Sequence, residues 1–398
     1  MRRREVVVIG GGNAGLSVAG RLRRSGVRDV VVIEPRDQHI YQPLLSHVAG
    51  GTARASQARR DQRSVMPPGV DLISDRVVAV DPRAATVTLA SGDRIDYEDL
   101  IVAAGIQHDW ASIPGLADAI RTPSVGSHYE IDLAAKTSRL LRDVTSGTVV
   151  FTQPPGAASC AGASQKPMYL ACDYWRARGV LDDVRVVLVL PDPTLFGIPA
   201  IDRELERKVA EYGIEVRYSS RLAAVDGVDR VVDIEALEGG AHERIHYDVL
   251  NVVPPQSAPE WIAASDLARA GVEGGFVDVD PLTLQHRLHA NVWALGDAAA
   301  TRNSKSGGAI REQTKVLVEN LSAARDGQEP SAEYSGYSVA PFTVSRSTVV
   351  FAEFDDEYQQ KPSIPFWKGL ARERRLTWVF DRRILPRVYW YLILKGLA

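Results

Sequence analysis

Residues 5–34 constrain the fold more than any other part of this sequence. Glu5-Val-Val-Val-Ile9 is a continuous β-branched run without alternation, the pattern of a parallel strand buried on both faces. Gly10-Gly-Gly-Asn-Ala-Gly15 follows, then residues 16–24 with apolar side chains at helical spacing. A second apolar strand, Val30-Val-Val-Ile33, ends at Glu34. A lone GxGxxG motif says little. Strand, glycines, helix, strand and acid in this order make a dinucleotide-binding unit. Gly10 permits the tight turn, and Gly12, flanked by Asn13 and Ala14, lets a pyrophosphate approach the backbone at the helix N-terminus. Gly15 allows close helix–strand packing, and Glu34 accepts ribose hydroxyls.

Two later segments fit the same site. YEDLIVAAG (97–105) reads as a strand closing on Ala104-Gly105, and NVWALGD (291–297) as a strand closing on Gly296-Asp297, where backbone and carboxylate can meet a ribityl or pyrophosphate group. The expected dinucleotide domain is therefore split, residues 1–112 plus 258–330. The insertion, 113–257, is itself α/β, with strands at 148–152, 184–190 and 214–218 and helices at 165–178 and 202–212. The fold class is α/β: two Rossmann-like domains, the first discontinuous, with a C-terminal region at 331–398. The first turn of the insertion reads QPPGAASCAGASQK (153–166). It lacks a glycine triplet and carries Cys160, so no nicotinamide dinucleotide is expected there.

Composition narrows the function. Only two cysteines, Cys160 and Cys172, exclude a disulfide scaffold and a four-cysteine zinc site. Twelve residues along a helix is about 18 Å, against roughly 4.4–6.8 Å between bridged Cα atoms. The two do not pair unless residues 160–166 fold back. Cys172 falls at core spacing with Met168, Leu170 and Trp175. Cys160, at a strand-to-helix turn, is expected to have its thiolate favoured by the helix dipole. His39, His108, His286 and His289 lack metal-ligand spacing, and no metal site is expected. No apolar run approaches the roughly 18 residues of a membrane span. Arg2-Arg3-Arg4 with Val6–Ile9 is too short for a signal peptide and runs into glycines, so the expected compartment is the cytoplasm.

Charge is uneven. From Lys361 onward nine basic residues face two acidic ones, Glu373 and Asp381, a net +7; a chain of net −3 thus carries −10 elsewhere. No generally basic face for nucleic acid is expected. The tail also holds Trp367, Trp378, Trp390, Tyr389 and Tyr391. Its apolar stretch, 384–397, is interrupted by Arg387 and Lys395, a composition suited to the headgroup boundary of an anionic membrane or to packing on the protein's own body.

Taken together, these motifs resemble the flavoprotein sulfide:quinone oxidoreductases of the two-dinucleotide-binding-domain disulfide reductase superfamily. The resemblance runs essentially end to end. It includes GGGNAG (10–15), YQPLLSHVAGG (41–51, with Gln42), CAGASQKPMYLA (160–171) and VVPP (252–255). It continues through FVDVDPLTLQHRLHANVWALGD (276–297), SKSGGA (304–309) and FAEFD (351–355). It implies FAD as cofactor, Cys160 as the sulfur facing the flavin, sulfide or a related sulfur nucleophile as donor, and a membrane quinone as acceptor. It implies that Lys305 stabilises reduced flavin, with Gln313 a weaker candidate, and that quinone enters past Phe342, Phe351 and Phe354. A peripheral place on the inner face of the membrane follows, with a homodimer left open. The family's second redox cysteine falls at Ala340, so the relay looks incomplete. Two alternatives stay open: a type II NADH:quinone dehydrogenase, and an FAD- or sulfane-sulfur-binding protein without turnover.

Overall fold

The computed structural model describes residues 3–363 and 369–398; Trp367 and Lys368 of the basic tail and Arg2 of the arginine run lie outside the described residues. Strand Arg4–Ile9 pairs in parallel with Val30–Ile33 on one side and Arg94–Val102 on the other. Asp71–Ile73 extends the sheet beyond Val30–Ile33, and Val292–Ala294 pairs with Leu100–Val102, so distant parts of the chain share one sheet. Val6 and Val8 pack beneath helices Asn13–Arg24 and Ala309–Arg325, while Val7 and Ile9 face the opposite layer with Val277 and Val292. Two apolar faces explain the unalternated run.

The glycine turn is closed by sterics. Gly10 has φ +103°, and a Cβ there would stand 2.3 Å from the Ala103 carbonyl oxygen; a Cβ on Gly15 would stand 1.8 Å from that of Gly10. Neither position tolerates a side chain.

A second, all-parallel sheet runs Val125–Gly126, Val249–Asn251, Gly147–Thr152, Val184–Val189, Glu215–Arg217. Helix Lys166–Ala177 packs on it and buries Met168, Cys172 and Trp175. The chain crosses between the sheets twice, at Gln107–His108 and Gln256–Ser257, which pair antiparallel.

Among the described residues, the C-terminal region packs into the cores of the other two. Hairpin Ser338–Thr343 with Val349–Phe354 buries Ala340, Phe342, Ala352 and Phe354 in the second core. The last helix, Leu385–Tyr391, buries Tyr389 and Trp390 in the first, together with Leu394. Between them lies a π-helical turn, Phe380–Ile384, whose Asp381 accepts from His47 Nε2 at 3.3 Å. The apolar stretch 384–397 is thus broken into short turns, one side of which follows the body. Its other side is exposed: Leu376, Phe380, Ile384, Tyr391 and Leu392 lie beside exposed Arg375, Arg383 and Arg387. Among the described residues no helix is long and apolar enough to cross a membrane.

Candidate functional site

A cavity of about 600 Å³ lies at the carboxyl edge of the first sheet, against the second domain. That size falls within the roughly 300–1,000 Å³ of ligand pockets. Gly10, Gly12, Asn13 and Ala14 line one wall, and Glu34, Gln42, Ala104, Gly105 and Asp297 also line the cavity. A Cβ added at Gly12 would meet nothing within 4 Å, so this glycine borders open space, unlike Gly10 and Gly15. The wall is a cradle that a side chain would fill and a pyrophosphate would fit. Glu34 is buried; its Oε2 accepts from the Gly11 N–H at 2.8 Å, and its Oε1 from the Arg36 backbone N–H and Nε. The donor set and volume fit FAD.

Gly15 and Gly296 do not reach this wall. Gly15 acts through packing, as its contact with Gly10 requires, and the Gly296 N–H donates to Gln313 Oε1 at 2.9 Å. Gln313 therefore fixes the Gly-Asp loop from behind.

Several cavity residues were not among the expected site residues. His39 Nδ1 stands 3.0 Å from the Gly11 carbonyl oxygen and its Nε2 2.6 Å from the Tyr389 hydroxyl. A carbonyl can only accept, so Nδ1 carries the proton and Nε2 accepts from Tyr389. Burial pulls the His39 pKa down to about 4, against the ordinary 6.5. Gln62 Nε2 also donates to the Gly11 carbonyl, at 3.0 Å. His128, Tyr129 and Lys166 line the side nearest the second domain. The signals for Lys166 were its place in CAGASQKP and the paucity of cations near the turn; for Tyr389 no local signal exists.

Cys160 lines the same cavity. It is held in a left-handed conformation, φ +58° and ψ 75°, uncommon for a residue other than glycine. Its N–H donates to the Lys305 carbonyl oxygen, and its own carbonyl accepts from Ala163 N–H at 2.7 Å. Strain of this kind persists where surroundings over-determine the backbone. The expected lowering of the thiol pKa is corrected here. The α-helix begins only at Lys166, so Cys160 caps a three-residue 3-10 turn, Ala161–Ala163, and gains little dipole. Burial dominates and pushes the thiol up, with Asp297 and Asp381 pushing the same way and Lys166 pulling it down. Cys172 is fully buried in the second core, its thiol also pushed up by burial.

Lys305 does not line the cavity with its side chain. Its Nζ donates to the Ala299 carbonyl at 2.9 Å and lies 4.1 Å from the Phe276 ring centroid, with burial pulling the pKa down to about 8. The aromatic candidates are also turned away from it. Phe342 and Phe354 are fully buried and meet Phe196 edge-on at 4.9 and 5.1 Å, and Phe351 stands 6.0 Å from Phe380. Core packing claims Phe342 and Phe354 because alternate residues of the hairpin face the second sheet; Phe351 lies on the other face. Phe342 supports the cysteine turn from below: a Cβ on Gly162 would lie 2.9 Å from its ring and 3.3 Å from Ala340 Cβ.

Comparison with known proteins accords with this geometry. Residues 4–325 match the pyridine nucleotide-disulphide oxidoreductase family. The mitochondrial sulfide:quinone oxidoreductase of Mus musculus is 34% identical over 395 residues, covering 98% of this chain and 86% of the relative. That of Dictyostelium discoideum is 32% identical over the same shares. The X-ray structure of the sulfide:quinone oxidoreductase from Aquifex aeolicus superposes with TM-score 0.85 at 20% identity, covering 99% of this chain and 92% of that one. The fold and site define an FAD-dependent oxidoreductase of the pyridine nucleotide-disulphide class. Within that class, the chain belongs to the sulfide:quinone oxidoreductase family.

Proposed function

We propose that the chain oxidises hydrosulfide at Cys160 and delivers the electrons to a membrane quinone. FAD, when bound, supplies the two-electron carrier between the two. The Cys160 thiolate and hydrosulfide join as a persulfide anion, releasing one proton and two electrons; an external thiolate then takes the outer sulfur and restores the Cys160 thiolate. Gly12, Asn13 and Glu34 would hold the dinucleotide, and Asp297 with Gly105 the span between its ends. The supporting observation is that Cys160 shares one cavity with the glycine cradle.

The external acceptor is required because the position of a second cysteine holds Ala340. That side chain is buried and faces Gly162, two residues beyond Cys160, which supports the positional match. The quinone and membrane parts of this reading rest on the relatives' names and on the exposed apolar and basic side of the tail.

Anaerobic addition of sulfide to the FAD-loaded protein should bleach the flavin, and Cys160→Ser should abolish the response. Bleaching by NADH within seconds, with no response to sulfide, would reverse the assignment in favour of an NADH dehydrogenase.

A further inference from the structure

Lys166 is the one cavity-lining lysine, 1% exposed, and among the described residues it has neither a hydrogen bond nor an ion pair. It stands at the first position of helix Lys166–Ala177, the end whose dipole repels a cation. A buried cation at a helix N-terminus is costly unless anions face it; the buried Asp381 carboxylate, bonded to His47, is one such anion. The cavity next to it contains Cys160, six residues upstream and folded back by the 3-10 turn.

We infer that Lys166 is the counter-cation of Cys160, and that its place in the same cavity lowers the cost of ionising the buried sulfur. This rests on the nucleophilic reading of Cys160 given above and assigns the group that makes it workable without a helix dipole.

The other groups facing the sulfur do not supply this charge. Asp297 and Asp381 disfavour a thiolate, and Tyr41 and Tyr129 are neutral, their hydroxyls held up by burial. His128, from the strand-crossing side, is pulled down to about 3 by burial and stays neutral. His47 is held down likewise and is spent on Asp381. Lys305 offers its backbone carbonyl to Cys160 while its ammonium is engaged at Ala299. That leaves Lys166 as the cation that pulls the thiol down. Lys166 positions and stabilises charge; it transfers nothing.

The test is the pH dependence of iodoacetamide alkylation of the folded, FAD-loaded protein, followed by mass spectrometry. Cys160→Ser gives the baseline, since Cys172 is inaccessible. Lys166→Met should raise the midpoint by about one unit and slow alkylation near neutral pH by about tenfold. Lys166→Arg should restore both. Because Cys160 can take up a proton when the cation is removed, the Met variant leaves no uncompensated charge on the sulfur and should melt no earlier than wild type. A wild-type midpoint in Lys166→Met overturns the pairing, and so does an earlier melt without a shifted midpoint, which marks a structural lysine. Should wild-type Cys160 resist alkylation until the chain unfolds, the nucleophilic reading itself falls, separately from the pairing.

Discussion

His39 ties the glycine turn to the C-terminal helix, and its protonation state gives that tie a pH dependence. Its folded pKa of about 4 lies below the ordinary 6.5, so the unfolded chain binds the proton more readily. Stability from this group is therefore present above pH 6.5 and lost as pH falls toward 4. Linkage over the interval from pH 7 to 5 gives a loss of about 2 kcal/mol from this residue, and about 3 kcal/mol once both states are protonated. The perturbation is His39→Gln, which keeps a donor for the Gly11 carbonyl and an acceptor for Tyr389 without titrating. Urea unfolding at pH 7 and pH 5 should show the variant losing about 2 kcal/mol less than wild type over that interval, with flavin retention following the same order. Equal losses in the two proteins would refute the argument, because the imidazole would then not be buried neutral. His128, lowered to about 3 by burial, adds acid sensitivity of the same sign to both proteins and cancels in the comparison.

Three further outcomes follow from the geometry. Gly12→Ala should fold with an unchanged Tm but bind FAD at least about tenfold more weakly, because its methyl enters the cradle. Gly15→Ala, whose methyl would overlap the Gly10 carbonyl, should be recovered unfolded or several kcal/mol less stable; thermal melts and flavin fluorescence separate the two. Ala340→Cys should add a sulfur against the Cys160 turn, remove both free thiols on oxidation, and speed sulfide oxidation; two thiols still free to iodoacetamide after oxidation would contradict the match. Serine at Phe380, Ile384 and Leu392 together should release the protein from anionic vesicles in a sedimentation assay while leaving the fold intact. These sites are preferable to truncation of the tail, since Trp390 and Leu394 belong to the first core.

The parts of the site legible in the sequence were those encoded locally. Gly10, Gly12 and Glu34 are set by spacing within one strand–turn–helix–strand unit, and Asp297 follows a strand whose end could be read directly. That distant strands share one sheet was legible for the same reason, from segments ending in small residues far apart in the chain. What the sequence withheld depends on tertiary placement. Tyr389 meets His39 across 350 positions, and Gln62 reaches Gly11 across 51, with no pattern marking either. The Cys160 thiol was misjudged because the dipole argument needs a helix beginning there, whereas it begins at Lys166 and burial outweighs what remains. Phe342 and Phe354 were expected to border a quinone path. Their alternation in a hairpin with Ala340 and Ala352 was the sign of a face turned inward.

The central claim is that a sulfur nucleophile at position 160 works against the flavin ring. The most direct measurement is a crystal structure of the FAD-bound protein, read at a single distance. Near-attack geometry requires Cys160 Sγ within about 3–3.5 Å of the isoalloxazine, or a single bound sulfur bridging the two. A sulfur about a dozen ångströms or more from the ring, with side chains filling the space between, is far outside that range and would contradict it.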